Sequence, residues 1–266
     1  MNQHFNITRF GKLFKKEFSE RISTIITISV IFAIIFVIWW IIALLIHMTG
    51  THASSSPNSR AFYLFCALCL TVIFSPLILY YRANHRKKGI DYITLPASFN
   101  EKFVSMLIHM LIIFPIAVGV SMITVDLILS TLSPAIFDGS ILFSGILAKF
   151  EINRYVFYSF WTIFSMFSLF LLCNAIYRRN KTVKSIFSIL LFYLMSSIIV
   201  GCLTYTLFHQ WIDISIINNP SLYDYRYVEL KEHIKPFVFT MKMLFVYILP
   251  VSAIAGSYFK MKNQQY

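Results

Sequence analysis

Six long apolar stretches divide this chain, and they constrain its fold more than any other feature. Each stretch is 21 to 27 residues long, and about 20 apolar residues suffice to cross the roughly 30 Å of hydrocarbon in a bilayer. Lipid offers no partner for backbone N–H and C=O groups, so each stretch is expected to be helical. The sequence therefore predicts an all-α, polytopic membrane protein with six transmembrane helices. The stretches are Ile22–Ile46, Ala61–Tyr81, Phe103–Leu129, Tyr155–Ile176, Ser185–His209 and Phe237–Phe259.

The composition excludes most other classes of protein. Of the 266 residues, 58% are hydrophobic and only 13% are charged, whereas soluble domains are about half apolar and a quarter charged. These values exclude a soluble globular enzyme, a disordered protein and a nucleic-acid-binding domain. The first apolar stretch is too long for the core of a signal peptide and no A-x-A site follows it, so we expect it to remain as a membrane helix. Pro76, Pro115 and Pro250 lie inside stretches, where each removes a backbone donor and is expected to bend its helix.

The basic residues predict the orientation of the chain. Sixteen of the 23 Lys and Arg residues lie on one side of the predicted membrane, together with only four of the 11 acidic residues. Cytoplasmic loops carry such an excess, so both termini are predicted to be cytoplasmic. The net charge of +12 then indicates orientation and attraction to anionic lipid headgroups rather than nucleic-acid binding. The sixteen residues are Arg9, Lys12, Lys15, Lys16, Arg21, Arg82, Arg86, Lys87, Lys88, Lys102, Arg178, Arg179, Lys181, Lys184, Lys260 and Lys262.

Residues 1–21 are predicted to form a cytoplasmic amphipathic helix before a single transmembrane domain over residues 22–266. The helix has an apolar side and a basic side and is suited to the inner headgroup region. It can serve as a simple lipid anchor, as a surface for a cytoplasmic partner, or as both. The apolar side contains Ile7, Phe10, Phe14 and Phe18, and the basic side includes Lys12, Lys15 and Lys16.

The loop between the second and third stretches is the most informative segment. Ser98 and Glu101 form an S-x-x-E capping box, which predicts a helix start. Pro96 disfavours helical backbone at Leu95, so it separates the helix that begins at Ser98 from any helix before it. About two helical turns fit ahead of Pro96, with Ile90 and Ile93 on one face. The segment is then either an ordinary solvated basic loop or a short helix that transmits force to a docked partner.

This loop resembles the ABC-2 type transporter permease family. The residues that carry the resemblance are Gly89, Thr94, Leu95, Pro96, Ser98, Glu101 and Lys102, directly between the second and third stretches. The six-span layout, the amphipathic amino-terminal helix and the long loop before the last span also resemble that family. The phrase from Leu95 to Ser98, followed by Glu101 and Lys102, resembles its small bacterial six-span members, which implies a bacterial inner membrane. The resemblance implies that the loop docks a separate cytoplasmic ABC ATPase and that permease subunits pair as a homodimer or heterodimer. The docking residues implied are Lys88, Gly89, Ile90, Asp91, Tyr92, Ile93, Leu95, Pro96, Ser98 and Glu101.

Ionisable and metal-binding residue types are scarce in the predicted spans. His109 is interpreted as a buried or interfacial histidine and Asp126 as an interfacial carboxylate. Cys66 and Cys69 form a C-x-x-C pair, which we interpret as small buried hydrophobic residues. The sequence contains no P-loop, H-E-x-x-H or G-x-S-x-G motif. No catalytic residue, metal ligand or cofactor is therefore assigned, and the chain is not expected to be an enzyme.

Two functions are consistent with these features. The first is the membrane subunit of an ABC-2-like exporter, which needs no buried acids of its own because ATP is hydrolysed by a separate subunit. The alternative is a non-transporting polytopic membrane scaffold or a regulatory or immunity protein. The substrate and the direction of transport are not specified by the sequence, and the outer loops over residues 130–154 and 210–236 receive no role.

Overall fold

The computed structural model describes residues 5–49, 56–81, 95–134, 136–137, 139–142, 154–177, 179–208 and 234–263. These residues form six helices and, within the described ranges, no strand, which confirms the predicted all-helical class. Five helices are long and apolar enough to cross a membrane, and the apolar part of the fourth, Phe160–Ile176, is shorter. The helices are α1 (Ile7–Met48), α2 (Pro57–Leu79), α3 (Phe99–Leu132), α4 (Arg154–Ile176), α5 (Lys181–Phe208) and α6 (Ile234–Asn263).

Helix α1 continues through the boundary that the sequence analysis places after Arg21. It begins at the N-cap Asn6, whose side chain accepts hydrogen bonds from the backbone N–H groups of Thr8 and Arg9. Neither Pro nor Gly occurs between Lys12 and Thr49, so nothing in the sequence interrupts the backbone hydrogen bonds. The 42 residues span about 60 Å, which is twice the thickness of the hydrocarbon core.

Helix α2 passes through Pro76 without a break. A proline at this position leaves the carbonyl of Val72 without its usual N–H donor. The hydroxyl of Ser75 donates to that carbonyl at 2.8 Å and replaces the missing bond. The carbonyl of Pro76 itself accepts from the side-chain amide of Asn174 in α4 at 3.0 Å. The proline segment is therefore fully hydrogen-bonded at these two carbonyls and is joined to α4.

Two other prolines follow widened helical turns. In α3, residues His109–Ile113 form a π-helical turn directly before Phe114 and Pro115, and Phe114 N donates to the carbonyl of His109, five residues back. In α6, the same arrangement occurs over Met243–Ile248, directly before Leu249 and Pro250. A proline ring clashes with the carbonyl four residues earlier in an α-helix. The wider turn holds one extra residue and relieves that clash, so these helices adapt by widening.

The helices pack around two cores that share α2 and α4. One core joins α1, α2 and α3, with Met110, Phe114 and Val118 of α3 at its centre, and includes Phe167 and Leu171 of α4. A second, smaller core contains residues of α2, α4, α5 and α6. Consecutive helices run in opposite directions, so one end of the bundle, here called the near face, holds the start of α1, the end of α2 and the start of α3. The opposite end is called the far face.

The close approach of α2 and α3 generates a prediction about Gly119. A Cβ at this glycine would lie 3.4 Å from Leu68 Cδ2, so Gly119→Leu would force the two helices apart. Overpacking of this kind costs about 1–3 kcal/mol of unfolding free energy. Gly201 in α5 is the matched control, because a Cβ there would meet nothing within 4 Å. Thermal unfolding in detergent should show a lower midpoint for Gly119→Leu only, and equal midpoints would contradict the packing described here.

Candidate functional site

The predicted docking residues divide into two groups. Those before Thr94 lie outside the described residues: Lys88, Gly89, Ile90, Asp91, Tyr92 and Ile93. Leu95, Pro96, Ser98 and Glu101 are described and lead into the first turn of α3. The candidate site is therefore built from the two borders of residues 82–94, which are the end of α2 and the start of α3.

Glu101 fixes the border at the start of α3. The predicted capping box is confirmed, because Ser98 Oγ accepts from Glu101 N at 3.3 Å and Glu101 Oε2 accepts from Ser98 N at 2.8 Å. The other carboxylate oxygen, Oε1, accepts from Asn6 N at 2.7 Å and from Arg9 Nη2 at 3.1 Å. The Glu101 side chain is completely buried. One carboxylate thus caps α3 and ties it to the first residues of α1.

Glu17 joins three helices at a deeper level of the near face. Its Oε2 atom accepts from the hydroxyl of Tyr80 at 2.9 Å and from the hydroxyl of Ser105 at 2.7 Å. Tyr80 follows α2 directly and Ser105 belongs to α3, so this buried carboxylate of α1 holds both. Hydroxyl donors to an ionised oxygen are charge-assisted and stronger than neutral hydrogen bonds. The Glu17 carboxylate is therefore the central polar contact of the near face.

His109 completes this polar cluster. Its Nδ1 atom lies 2.8 Å from the carbonyl of Ser105 and 3.7 Å from Glu17 Oε2. Because a carbonyl can only accept, Nδ1 must carry the proton and donate to Ser105. The imidazole ring also lies 4.6 Å from the ring of Phe14 in α1. The interpretation of His109 as a buried histidine is thus confirmed, and its role there is to pack α3 against α1.

Two cations hold the other border, at the end of α2. The Arg21 guanidinium lies over the Tyr80 ring, 3.5 Å from its centre, and donates to the carbonyl of Leu79. Lys181 Nζ, at the start of α5, donates to the carbonyl of Tyr81 at 2.7 Å. The last carbonyls of a helix have no partner within the helix, and cations are favourable there. Both borders of residues 82–94 are therefore fixed by charged side chains from other helices.

The predicted amphipathic helix forms the first turns of α1, and its side chains differ in exposure. Lys12, Lys15 and Lys16 are exposed, while Phe10 and Phe14 are partly buried with ring centres 5.9 Å apart. Phe18 is 37% exposed, so the most deeply buried side of this segment does not follow the phenylalanines. It contains Leu13 and Glu17 instead.

Asp126 is not the interfacial carboxylate that the sequence analysis expects. It is completely buried and forms an ion pair with Arg60, which is also completely buried. Arg60 is not among the sixteen basic residues predicted to be cytoplasmic, and its pairing with Asp126 was not predicted, because 66 residues separate the two positions. One sequence signal could have predicted this pair. An arginine near the start of α2 and an acidic residue near the end of the antiparallel α3 lie at the same end of the bundle.

The remaining candidates are a metal site and the C-x-x-C pair. Among the residues that the structure describes, no group of three His, Cys, Asp or Glu side chains could hold a metal ion. Cys66 and Cys69 are free thiols at partly buried positions in α2. Most of the two outer loops, including residues 210–233, lies outside the described ranges.

Comparisons with protein-family models, with curated proteins and with solved structures found no match to this chain.

The contacts of Glu17 predict a large effect of its removal. Glu17→Ala would leave the Tyr80 and Ser105 hydroxyls without their acceptor, and we expect a loss of about 2–4 kcal/mol in unfolding free energy. Glu20→Ala is the matched control, because Glu20 is exposed and its ion pair is with the exposed Lys16 at 3.8 Å. Such surface pairs contribute at most about 1 kcal/mol. Thermal unfolding in detergent at one scan rate should separate the two variants, and equal losses would be inconsistent with the Glu17 contacts.

Proposed function

We propose that this chain is the transmembrane subunit of an ABC-2-like exporter in a bacterial cytoplasmic membrane. Its near face is then cytoplasmic, and a separate ABC ATPase docks on residues 88–101. Two such subunits, identical or related, pair to form the membrane part of the transporter. The substrate moves along a path between the paired subunits, driven by ATP hydrolysis in the docked ATPase.

The anchoring of both loop borders supports this proposal most directly. A docked ATPase can move membrane helices only if its docking segment is held firmly by them. Glu101 ties one border to Asn6 and Arg9 of the α1 start, while Arg21 and Lys181 hold the other border. Displacement of the loop would therefore be passed to α1, α3 and α5 rather than absorbed at its ends.

The charges around this face also suit a cytoplasmic partner and the inner leaflet. Lys12, Lys15 and Lys16 lie on the exposed side of α1, and Lys184 is exposed in the first turn of α5. Exposed basic side chains next to a membrane helix attract anionic lipid headgroups. This placement agrees with the positive-inside distribution and with a near face that lies at the cytoplasmic surface.

A non-transporting scaffold or immunity protein is the second candidate, and one observation favours it. Buried charges join helices at both faces: Glu17 connects α1, α2 and α3 at the near face, and the Arg60–Asp126 pair connects α2 to α3 at the far face. Such double fastening also suits a static membrane platform for another protein. Association with an ATPase separates the two functions.

The first test is co-purification with a P-loop ATPase encoded beside this chain, in mild detergent, with ATP turnover as a second readout. A stable complex with altered turnover is expected. Ile90→Asp with Ile93→Asp should abolish the complex, because charge replaces the apolar face predicted to contact the ATPase. Leu132→Asp is the control, since Leu132 is 68% exposed at the far end of α3. Failure of the well-folded protein to bind the ATPase would instead favour the scaffold.

A second prediction concerns Glu101, a predicted docking residue whose side chain is buried and bonds to the start of α1. Glu101→Gln would weaken the bonds to Arg9 and Asn6. We expect the complex to form but the effect of the membrane subunit on ATP turnover to fall at least twofold. Measurement of the binding affinity and the turnover on the same sample distinguishes this outcome from a loss of docking. Unchanged turnover would show that the border contact does not transmit force.

A further inference from the structure

A segment after α3 folds back over the far face. The described part of this far-face segment comprises residues 133–134, 136–137 and 139–142. Phe137 and Ile141 are almost completely buried in it. The Phe137 ring stacks on Trp39 of α1 with ring centres 5.8 Å apart and lies 6.3 Å from Phe36. The segment therefore covers the far ends of α1, α2 and α3.

The Arg60–Asp126 pair binds this segment as well as the two helices. The Arg60 guanidinium contacts Asp126 Oδ1, donates to the carbonyl of Gly139, and lies over the Phe137 ring at 4.2 Å. The second carboxylate oxygen, Asp126 Oδ2, accepts from Ile141 N at 2.7 Å. Each member of the ion pair thus holds one backbone group of the far-face segment.

This geometry gives the ion pair a role beyond joining α2 to α3. Apolar side chains of similar size would often hold two helices at least as well, because burying two charges is costly. Apolar side chains could not, however, satisfy the N–H of Ile141, which is buried and needs a polar partner. They also could not bind the carbonyl of the exposed Gly139, which holds the segment at a second point. If the pair separates, several buried polar groups lose their partners together, so the segment is either bound or released as a unit.

We propose that the Arg60–Asp126 pair is a latch that keeps the far-face segment closed over the ends of α1, α2 and α3. Opening of this face then requires separation of the pair. The latch is a property of this chain alone. Its use as the outer closure of an exporter rests on the function proposed above.

The test measures the accessibility of a cysteine in the segment, using the full chain in lipid nanodiscs and a membrane-impermeant maleimide. Ser140→Cys is the reporter, because Ser140 is 8% exposed in the closed segment. Cys66, Cys69 and Cys202 are replaced by alanine, while Cys173 in α4 is kept. Cys173 is 9% exposed and belongs to the second core, away from the far-face segment, so its labelling rate reports on loosening of the bundle.

Arg60→Gln and Asp126→Asn should each raise the labelling rate of the reporter at least tenfold, with the rate at Cys173 unchanged. Lys16→Gln, which removes an exposed charge at the near face, should leave both rates at the starting value. An unchanged reporter rate in the Arg60 and Asp126 variants would overturn the latch, because apolar packing alone would then hold the segment. Parallel acceleration at Cys173 would also overturn it, because the pair would then support the whole fold.

The same reporter tests the use of the latch in export. The co-purified ATPase is trapped with ATP, Mg²⁺ and vanadate. In the chain that keeps Arg60 and Asp126, the labelling rate of the Ser140→Cys reporter should then rise at least threefold. A bound and active ATPase that leaves the rate unchanged would overturn the gating role while the latch itself stands. Absence of any bound ATPase would instead be a failure of the proposed function, and the labelling of the Arg60 and Asp126 variants would still decide the latch.

Discussion

Every backbone hydrogen bond in an apolar bundle must be closed within the protein, because the surrounding lipid offers no replacement. The three prolines show how this requirement shapes the helices. At Pro76, the Ser75 hydroxyl supplies the missing donor to Val72. At Pro115 and Pro250, the helix widens by one residue ahead of the ring. All three helices continue past the proline as a result, and the apolar surfaces that form the two cores stay continuous.

The buried charged side chains of the first three helices concentrate at the two ends of these helices. Glu17 and Glu101 use their oxygens to accept from hydroxyl, guanidinium and backbone donors at the near face. At the far face, Arg60 and Asp126 satisfy each other and two backbone groups of the segment above them. Between the two ends, the contacts are mainly apolar, and apolar contacts depend less on orientation than hydrogen bonds and ion pairs do. The relative positions of α1, α2 and α3 are therefore fixed chiefly where charges are buried.

The helices and the charged contacts differ in how far the sequence predicts them. Apolar length determines the six helices, and the Ser98–Glu101 box predicts the start of α3, because both signals are local. Glu17 contacts Tyr80 and Ser105, which are 63 and 88 positions away in the sequence. Asp126 pairs with Arg60, which is 66 positions away, so no short motif contains these contacts. The burial of Glu17 was also hard to predict, because it directly follows two lysines, which indicate a solvated side of the helix. The uninterrupted α1 was predictable from the lack of Pro and Gly, but the change from charged to apolar residues at Ile22 indicated a boundary instead.

The widened turn in α3 has a consequence for how related sequences should be aligned. Each residue of an α-helix accounts for about 100° of rotation, so one extra residue offsets the second arm of α3 by that angle from an uninterrupted helix. Buried residues on both sides of the turn, such as Met106 and Val118, face the same core only with this offset. A homologue that lacks Pro115 has no clash to relieve. Such a homologue should carry a one-residue gap between His109 and Ile113, with its buried positions in phase again on either side.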